Sequence, residues 1–358
     1  SHSTCRPVLR KDVMIWIISA ASGEELTVLD EDDVAAMVAS KGNTIGALKQ
    51  RLATTLGKTR FQQRIFGDDA DSDSHALEDD EILTPPVRMR LLILNFSPPE
   101  PFESTAFLAA CSGNRVDELE KILLYPMDPN VVDGEGRGAI HFAASCGYVQ
   151  CLRLLLEAKA NSDLAMTNGG TTPLHCAAEH GQHVVVRILL KDGVQKDKTR
   201  TDNGAMPLHV AAFHGQAEVV RLLLQSGAEK DAMRSDNHMT PLHLATLEGH
   251  IEVMKLLLEH GVQKDKATAN DGTTALHLAA HFGSQASVDV LLDASCDPNA
   301  TRSDNGATAV HLAAQAGQVQ ALRKLLEANA KTDKTLTDGM TALHLAARRG
   351  HGAVVRLL

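Results

Sequence analysis

The chain has 358 residues, of which 44% are hydrophobic and 3% aromatic, and its formal net charge at pH 7 is −10. This charge argues against nucleic acid as a partner, because phosphate binding needs clustered Lys and Arg. The cysteines form no Cys-x-x-Cys pair, and no apolar run approaches the roughly 20 residues of a membrane span. We therefore expect reduced thiols, no membrane insertion and an intracellular location, cytoplasmic or nuclear.

The N-terminal part carries a β pattern with a single helix. Residues 1–13 are polar and basic and predict a flexible lead-in. A helix capped by Thr44 is predicted to run to Leu56 and to end at Gly57. Strands are predicted at 14–18, 26–29, 63–66 and 89–94. We assign residues 14–95 to one small α+β domain and residues 96–101, which are rich in Pro, to a stiff linker.

This order of a β-hairpin, a helix and further strands resembles the ubiquitin-like β-grasp domain. The resemblance is carried by four segments and is interrupted by an insertion at 30–43; the segments are Thr44-Ile45, Gln62-Gln63-Arg64-Ile65-Phe66-Gly67, Leu77-Glu78-Asp79 and Met89 to Leu94. Ubiquitin-like modifiers are conjugated through a C-terminal Gly-Gly, but here the chain continues from Leu94 into Asn95 without one. The resemblance therefore implies a β-grasp fold but not conjugation.

The same resemblance implies a docking patch near Ala21, Ile65, Arg90 and Leu92. Ubiquitin-pathway proteins are the candidate partners of such a patch, although the charge of Arg90 argues against ordinary ubiquitin receptors. The alternative is a domain that only covers the first repeat of the following array. The loop 68–81 holds eight carboxylates, and we expect it to be solvated.

From residue 102 onward the sequence repeats. A His recurs at 141, 175, 209, 243, 277, 311 and 344, with five spacings of 34 residues and a last one of 33. Leu108 stands 33 residues before His141, which gives eight units, the first divergent and the last incomplete. In the unit at Thr240, this residue caps a short helix that begins with Pro241. A second helix follows and ends at Gly261.

The Thr-Pro-Leu-His-x-Ala-Ala and Leu-Leu-Leu-x-x-Gly-Ala elements resemble the ankyrin repeat over residues 102–358. The predicted fold is an α-solenoid of helix-turn-helix units with β-hairpin fingers, preceded by the small α+β β-grasp domain. Lys159, Ser295 and Asn329 replace the Gly that usually ends the second helix. Of these residues, Lys159 tolerates the left-handed turn least well.

We expect a protein ligand to bind in the groove formed by the ends of the first helices. Aromatic side chains with polar neighbours are typical anchors of protein interfaces. The predicted groove residues are Glu179, His180, Phe213, His214, Leu247, Glu248, His281 and Phe282. The finger tips predicted to border them are Arg200, Asp202, Arg234, Asp236, Arg302 and Asp304.

No catalytic or cofactor-binding residues are predicted. The chain has no nucleophile elbow, phosphate loop or zinc-protease signature. The recurring His residues lie about 10 Å apart in stacked repeats, too far to share a metal ion, and we expect each to bond the backbone of its finger. Cys176, His180 and His183 form a closer group, but Cys176 falls at a core position and Gly181 separates His183 from the other two. We therefore predict no metal site.

The favoured hypothesis is a non-catalytic adaptor that binds a neutral or basic protein. The first alternative is the regulatory part of a larger enzyme, such as a ubiquitin ligase, kinase or acyltransferase; the second is a structural spacer in a large assembly. The last unit ends inside its second helix, and a solenoid end needs a polar cap. We therefore expect the parent chain to continue beyond Leu358.

Overall fold

The computed structural model describes residues 15–19, 25–29, 45–56, 63–67, 79, 87–93, 101–125 and 127–358. They belong to two compact units, residues 1–131 with 153–161 and residues 132–152 with 162–358. Among the described residues, no helix combines the length and the apolar composition that crossing a membrane requires.

The first unit contains a mixed four-stranded sheet. Its elements in chain order are β1 (Ile15–Ser19), β2 (Glu25–Leu29), α1 (Ile45–Leu56), β3 (Gln63–Gly67) and β4 (Val87–Ile93). The strand order is β2-β1-β4-β3, in which β1 pairs with β4 in parallel and both outer pairs are antiparallel. A parallel pair needs a crossover connection, and α1 lies within the connection between β1 and β4.

The core of this sheet unit is apolar on both the helix and the strands. Ile45, Leu48 and Leu52 are buried at helical spacing on α1, and Ile65 and Leu91 are buried as a directly opposed pair on β3 and β4. Because Ile65 is fully buried, its place in an exposed docking patch was predicted wrongly. Ala21 of that patch lies outside the described residues.

Three polar contacts hold α1 in place. The buried ammonium of Lys49 forms an ion pair with Asp79, whose carbonyl also accepts a hydrogen bond from the Gly46 amide at 2.8 Å. Gln63 Nε2 donates to the Lys49 carbonyl at 3.0 Å and so links β3 to α1. Asp79 is the described residue of the acidic loop 68–81, and at this position the expectation of a solvated carboxylate was wrong.

Helix pairs make up the rest of the chain. The first unit ends with α2 (Pro101–Ser112) and α3 (Val116–Leu123), and α5 (Val149–Glu157) spans both units. The other first helices are α4 (Ala139–Cys146), α6 (Pro173–Glu179), α8 (Pro207–Phe213), α10 (Pro241–Leu247), α12 (Ala275–Phe282), α14 (Ala309–Ala316) and α16 (Ala342–Arg349). The other second helices are α7 (His183–Asp192), α9 (Ala217–Gln225), α11 (Ile251–Glu259), α13 (Gln285–Asp293), α15 (Val319–Glu327) and α17 (Gly352–Val355).

The first helices pack side by side from α4 to α16, and the second helices pack side by side from α7 to α17. Small residues such as Ala211 and Ala212 are fully buried between first helices, while Val220 and Leu223 are fully buried on the second helix. Each pair has an apolar face that only its neighbours cover, so stability depends on stacking. The predicted solenoid of helix pairs is confirmed.

The helix ends also follow the predicted chemistry. The Thr240 hydroxyl accepts a hydrogen bond from the His243 amide, and Pro241 occupies the first helical position. Gly261 ends the second helix with φ of 70°. Lys159, Ser295 and Asn329 adopt the same left-handed conformation at the equivalent ends, so replacing Gly changes the strain at these positions without changing the turn.

Candidate protein-binding groove

Seven turns, called fingers 1 to 7 below, connect the helix pairs. Most are closed by a backbone hydrogen bond; in finger 3 the Arg200 amide donates to the Ala205 carbonyl and the Gly204 amide donates to the Arg200 carbonyl. They span residues 132–138, 166–171, 200–205, 234–239, 268–273, 302–307 and 335–341.

Arg and Asp side chains pair within the tips of fingers 3, 4 and 6. Arg200 bonds Asp202, Arg234 bonds Asp236 and Arg302 bonds Asp304. In finger 4 the Arg234 side chain is 16% exposed and that of Asp236 is 36% exposed. The carboxylates therefore lie on the outside of the tips, and the guanidinium groups are covered.

Arg302 also joins two fingers. Its Nη2 lies 2.6 Å from Asp271 Oδ2 in finger 5 and 2.9 Å from Asp304 Oδ2 in its own finger. Partial burial raises the pKa of Asp271, but hydrogen bonds from Thr268 and Thr273 and the charge of Arg302 outweigh this effect, so the pKa is lowered. Two ionised carboxylates thus share one guanidinium, which leaves a local charge of −1.

Two aromatic pairs lie at the C-terminal ends of the first helices, opposite the fingers. The Phe213 ring contacts the His214 ring edge to face, with 5.1 Å between centroids, and His281 and Phe282 form the same arrangement at 5.1 Å. Phe213 is 37% exposed and Phe282 is 55% exposed. Such exposure of Phe is not needed to hold the helices together, so both rings are available to a ligand.

A large cavity lies between the first helices and fingers 4 to 7. Its volume is about 600 Å³, and His281, Phe282 and Arg302 from the predicted site line it. Asn237, Asn270, Asp271 and Asn305 supply polar groups, and Met239, Leu278, Leu312 and Leu345 supply apolar ones.

A smaller cavity of about 160 Å³ lies two repeats earlier. Glu179, Phe213 and His214 line it on the helix side, and Arg200 and Arg234 line it on the finger side. The structure thus brings eight of the predicted site residues to two cavities, five here and three in the larger one. Six others do not line either cavity: His180, Leu247, Glu248, Asp202, Asp236 and Asp304.

His180 has a local role. It is exposed, and its Nδ1 lies 3.0 Å from the Cys176 carbonyl and 3.3 Å from Ser145 Oγ. Cys176 is buried, and burial raises the pKa of its thiol to about 12. Within the described part of the chain, no three His, Cys, Asp or Glu side chains are grouped so that they could hold a metal ion.

The recurring His residues link neighbouring repeats. At His243, Nδ1 accepts a hydrogen bond from the Thr240 amide at 3.2 Å, so the ring proton is on Nε2, which donates to the Thr273 carbonyl at 3.1 Å. The predicted bond to a finger backbone is confirmed at His141, His175, His243 and His277, with the difference that the finger belongs to the next repeat. His209 instead bonds the Ala232 carbonyl, two residues before finger 4. The Nε2 bond is made by His141, His175, His209, His243 and His277.

A second set of bonds fixes the ends of the first helices. Gln216 Nε2 donates to the Glu179 carbonyl, His250 Nε2 bonds the Phe213 carbonyl and Gln318 Nε2 donates to the His281 carbonyl. Each donor or ring comes from the following repeat. The backbone that carries the aromatic side chains is therefore held from the neighbouring repeat.

The sequence prediction missed the apolar residues of the larger cavity. Met239 lies in a finger, and Leu278, Leu312 and Leu345 lie one helical turn before the predicted helix ends. Leu312 and Leu345 occur at the core position after the recurring His, and the pattern alone does not reveal that this position also borders the groove.

Comparisons with known proteins agree with this architecture. A family model described as ankyrin repeats in three copies matches residues 106–202, 163–234, 208–302 and 295–358. The ankyrin repeat domain of human ASB11 is one similar solved structure, with a TM-score of 0.55 and 27% sequence identity, covering 62% of this chain and 97% of that chain. No curated protein matches the sequence.

The fold does not indicate the ligand, because 582 chains of solved structures match this one and a shared fold supports unrelated functions. It does indicate the class of molecule, since the ankyrin fold is generally a protein-interaction module. The helix pairs, the bonded fingers and the family match together establish that the chain belongs to the ankyrin-repeat family.

Proposed function

We propose that the chain is a non-catalytic adaptor that binds a neutral or basic protein in the groove between its first helices and its fingers. The observation that carries the proposal is the position of the two aromatic pairs, each of which contributes to a cavity between helix ends and fingers. Aromatic side chains in partly enclosed pockets are the usual energetic centres of protein interfaces.

Charge supports a basic or neutral ligand. Glu179 and Glu248 stand at the ends of the first helices, and neither takes part in an ion pair among the described residues. On the opposite side, the carboxylates of the finger tips are more exposed than their Arg partners. A ligand in the groove would therefore meet carboxylates on both sides, which favours partners with Lys or Arg.

Affinity capture with the intact chain beside the Phe213→Ala/Phe282→Ala variant tests the site. We expect the variant to lose a partner that the intact chain retains, because it lacks both aromatic side chains. Since both rings are exposed, its thermal unfolding should match that of the intact chain within a few degrees.

A second variant controls for the loss of exposed apolar surface. Tyr125 lies in the turn that follows α3, and Val184 lies on α7. Both are large exposed side chains that line neither cavity. The Tyr125→Ala/Val184→Ala variant should retain the partner. If both double variants capture the same proteins as the intact chain, the groove is not the binding site. Contacts confined to the fingers and outer helices would instead favour the spacer hypothesis.

We also propose that residues 14–95 form a β-grasp domain. The order of a hairpin, α1 and two further strands, with β1 and β4 paired in parallel at the centre, supports this assignment. The burial of Ile65 removes one residue of the expected patch for ubiquitin-pathway proteins, so we assign this domain no partner. Circular dichroism of residues 14–95 expressed alone would contradict the assignment if it showed no β structure.

A further inference from the structure

Adjacent fingers are joined by a backbone hydrogen bond between fingers 2 and 3, 3 and 4, and 5 and 6, but the equivalent bond is absent between fingers 1 and 2 and between fingers 4 and 5. The Thr201 amide donates to the Gly169 carbonyl, Ser235 to Asn203 and Ser303 to Asp271, at 2.9 to 3.1 Å. The equivalent donor between fingers 4 and 5 is the Ala269 amide, and the equivalent acceptor is the Asn237 carbonyl. Neither group has a hydrogen-bond partner among the described residues.

The residue at position 238 distinguishes finger 4 from the fingers that are bonded to the next one. The three bonded pairs have Gly170, Gly204 and Gly272 at this place, all with positive φ. A Cβ on Gly204 would lie 2.7 Å from the Ser235 nitrogen, and one on Gly272 would lie 2.5 Å from the Ser303 nitrogen. Finger 4 has His238 there, with φ of 57°. A Cβ therefore stands at the place where the bonded fingers have glycine, and the bond between fingers 4 and 5 is absent.

The same repeat boundary also lacks a bond at the helix side. Gln216, His250 and Gln318 each bond the end of the preceding first helix. The equivalent residue here is Ser284, whose short side chain caps its own helix by accepting from the Ser287 amide and does not reach the Leu247 carbonyl. The boundary between fingers 4 and 5 therefore lacks both the finger bond and the helix-side bond, and we call it the opening.

This opening borders the larger cavity. Asn237 and Asn270, which flank the free acceptor and the free donor, both line it. The Asp271 carboxylate and the exposed Phe282 ring lie in the same cavity. An unpaired amide, an unpaired carbonyl, a carboxylate and an aromatic face are together suited to a peptide with a cationic side chain, because that side chain can pair with the carboxylate and stack on the ring.

We propose that the opening between fingers 4 and 5 binds the main chain of an extended basic segment of the partner protein. The segment's peptide groups pair with the Ala269 amide and the Asn237 carbonyl, and an Arg or Lys side chain reaches Asp271 beside Phe282. His238 acts as a positioning residue that keeps the opening accessible. This inference rests on the proposed function, and it names extended basic segments as the class of ligand that the groove binds.

A glycine substitution at residue 238 tests the role of the side chain. In the His238→Gly variant finger 5 can approach finger 4, so the Ala269 amide should become bonded and its hydrogen exchange should slow. Ser295→Gly is the matched control, because it also replaces a left-handed residue, with φ of 61°, but outside the cavity. Unchanged exchange at Ala269 in His238→Gly would overturn the proposed cause of the opening.

Binding is measured with immobilised nonapeptide pools whose central residue is fixed as Arg, Lys, Leu or Glu. We expect the intact chain to retain the Arg and Lys pools, and His238→Gly to bind them at least about tenfold more weakly, because the Ala269 amide and the Asn237 carbonyl are then bonded to each other. Ser295→Gly should bind like the intact chain. Retention of the Glu pool above the Arg and Lys pools would overturn the inference.

The Phe213→Ala/Phe282→Ala variant separates the two proposals. If it loses the peptides while His238→Gly binds them fully, the groove stands as the binding site and the role of the opening is refuted. If this double variant binds as well as the intact chain, the proposed function itself is refuted. If no pool binds the intact chain above the double variant, both proposals are contradicted.

Discussion

Acid should unfold the repeat array through its buried histidines. Burial lowers the pKa of His175, His209 and His243 to about 4 in the folded chain, against about 6.5 for an unperturbed histidine. Between these values the unfolded chain binds protons that the folded chain does not. The free energy of unfolding is therefore unaffected above about pH 6.5, falls as the pH decreases below it and levels off below about pH 4.

The size of the effect follows from the same values. At pH 5 each of the three histidines lowers the free energy of unfolding by about 2 kcal/mol, so that together they lower it by about 6 kcal/mol. The free energy of unfolding of a folded domain is about 5 to 15 kcal/mol, so this loss is a large part of it. His141, His277 and His311 shift in the same direction, again because burial disfavours the charged ring.

Urea unfolding followed by circular dichroism at pH 7.5 and pH 5.0 measures this difference. The His209→Gln variant should be less stable than the intact chain at pH 7.5, because the bond to the Ala232 carbonyl of the next repeat is lost. Between pH 7.5 and pH 5.0 the variant should lose about 2 kcal/mol less free energy of unfolding than the intact chain, because one titrating group is gone. The exposed His183, in the variant His183→Gln, is the control and should keep the full pH dependence. Equal stability of the intact chain at both pH values would refute the reasoning.

Three further predictions concern single residues. Replacing Lys49 by Met should lower the free energy of unfolding of the sheet unit by about 2 kcal/mol, because Asp79 loses its buried partner. An unchanged thermal transition would show that the ion pair is not stabilising. Gly283→Ala should cost more than Gly227→Ala in urea unfolding. Both glycines have positive φ, but only at Gly283 would a Cβ meet Gln318; equal losses would contradict a role for that contact. Gly227→Ala alone should cost about 1 to 2 kcal/mol, the strain of a left-handed alanine, and a stabilised variant would exclude that strain.

Some site residues could be predicted from the sequence because repetition aligns them. Phe213 and Phe282 differ from their equivalents in other repeats, and nothing in the packing of a single repeat requires an aromatic residue there. The same alignment shows His238 where Gly204 and Gly272 stand. This substitution by itself does not predict a missing bond between fingers, because its effect depends on how closely the next finger approaches.

Other features needed distances between repeats. In five of the recurring histidines, from His141 to His277, Nε2 bonds a carbonyl 23 or 30 residues away, and no local pattern gives that partner. The Ile65 error has a similar origin, because β propensity identifies a strand without showing which of its two faces is buried.

The sequence by itself determined the repeat architecture of this protein, because a period of 34 residues with capping residues and helix-ending glycines at fixed places specifies one helix pair per repeat. Only the tertiary structure decided where the cavities lie and which polar groups remain unpaired. Stacking brings residues 30 or more positions apart into contact, and it leaves fingers 4 and 5 without the backbone bond that fingers 3 and 4 share.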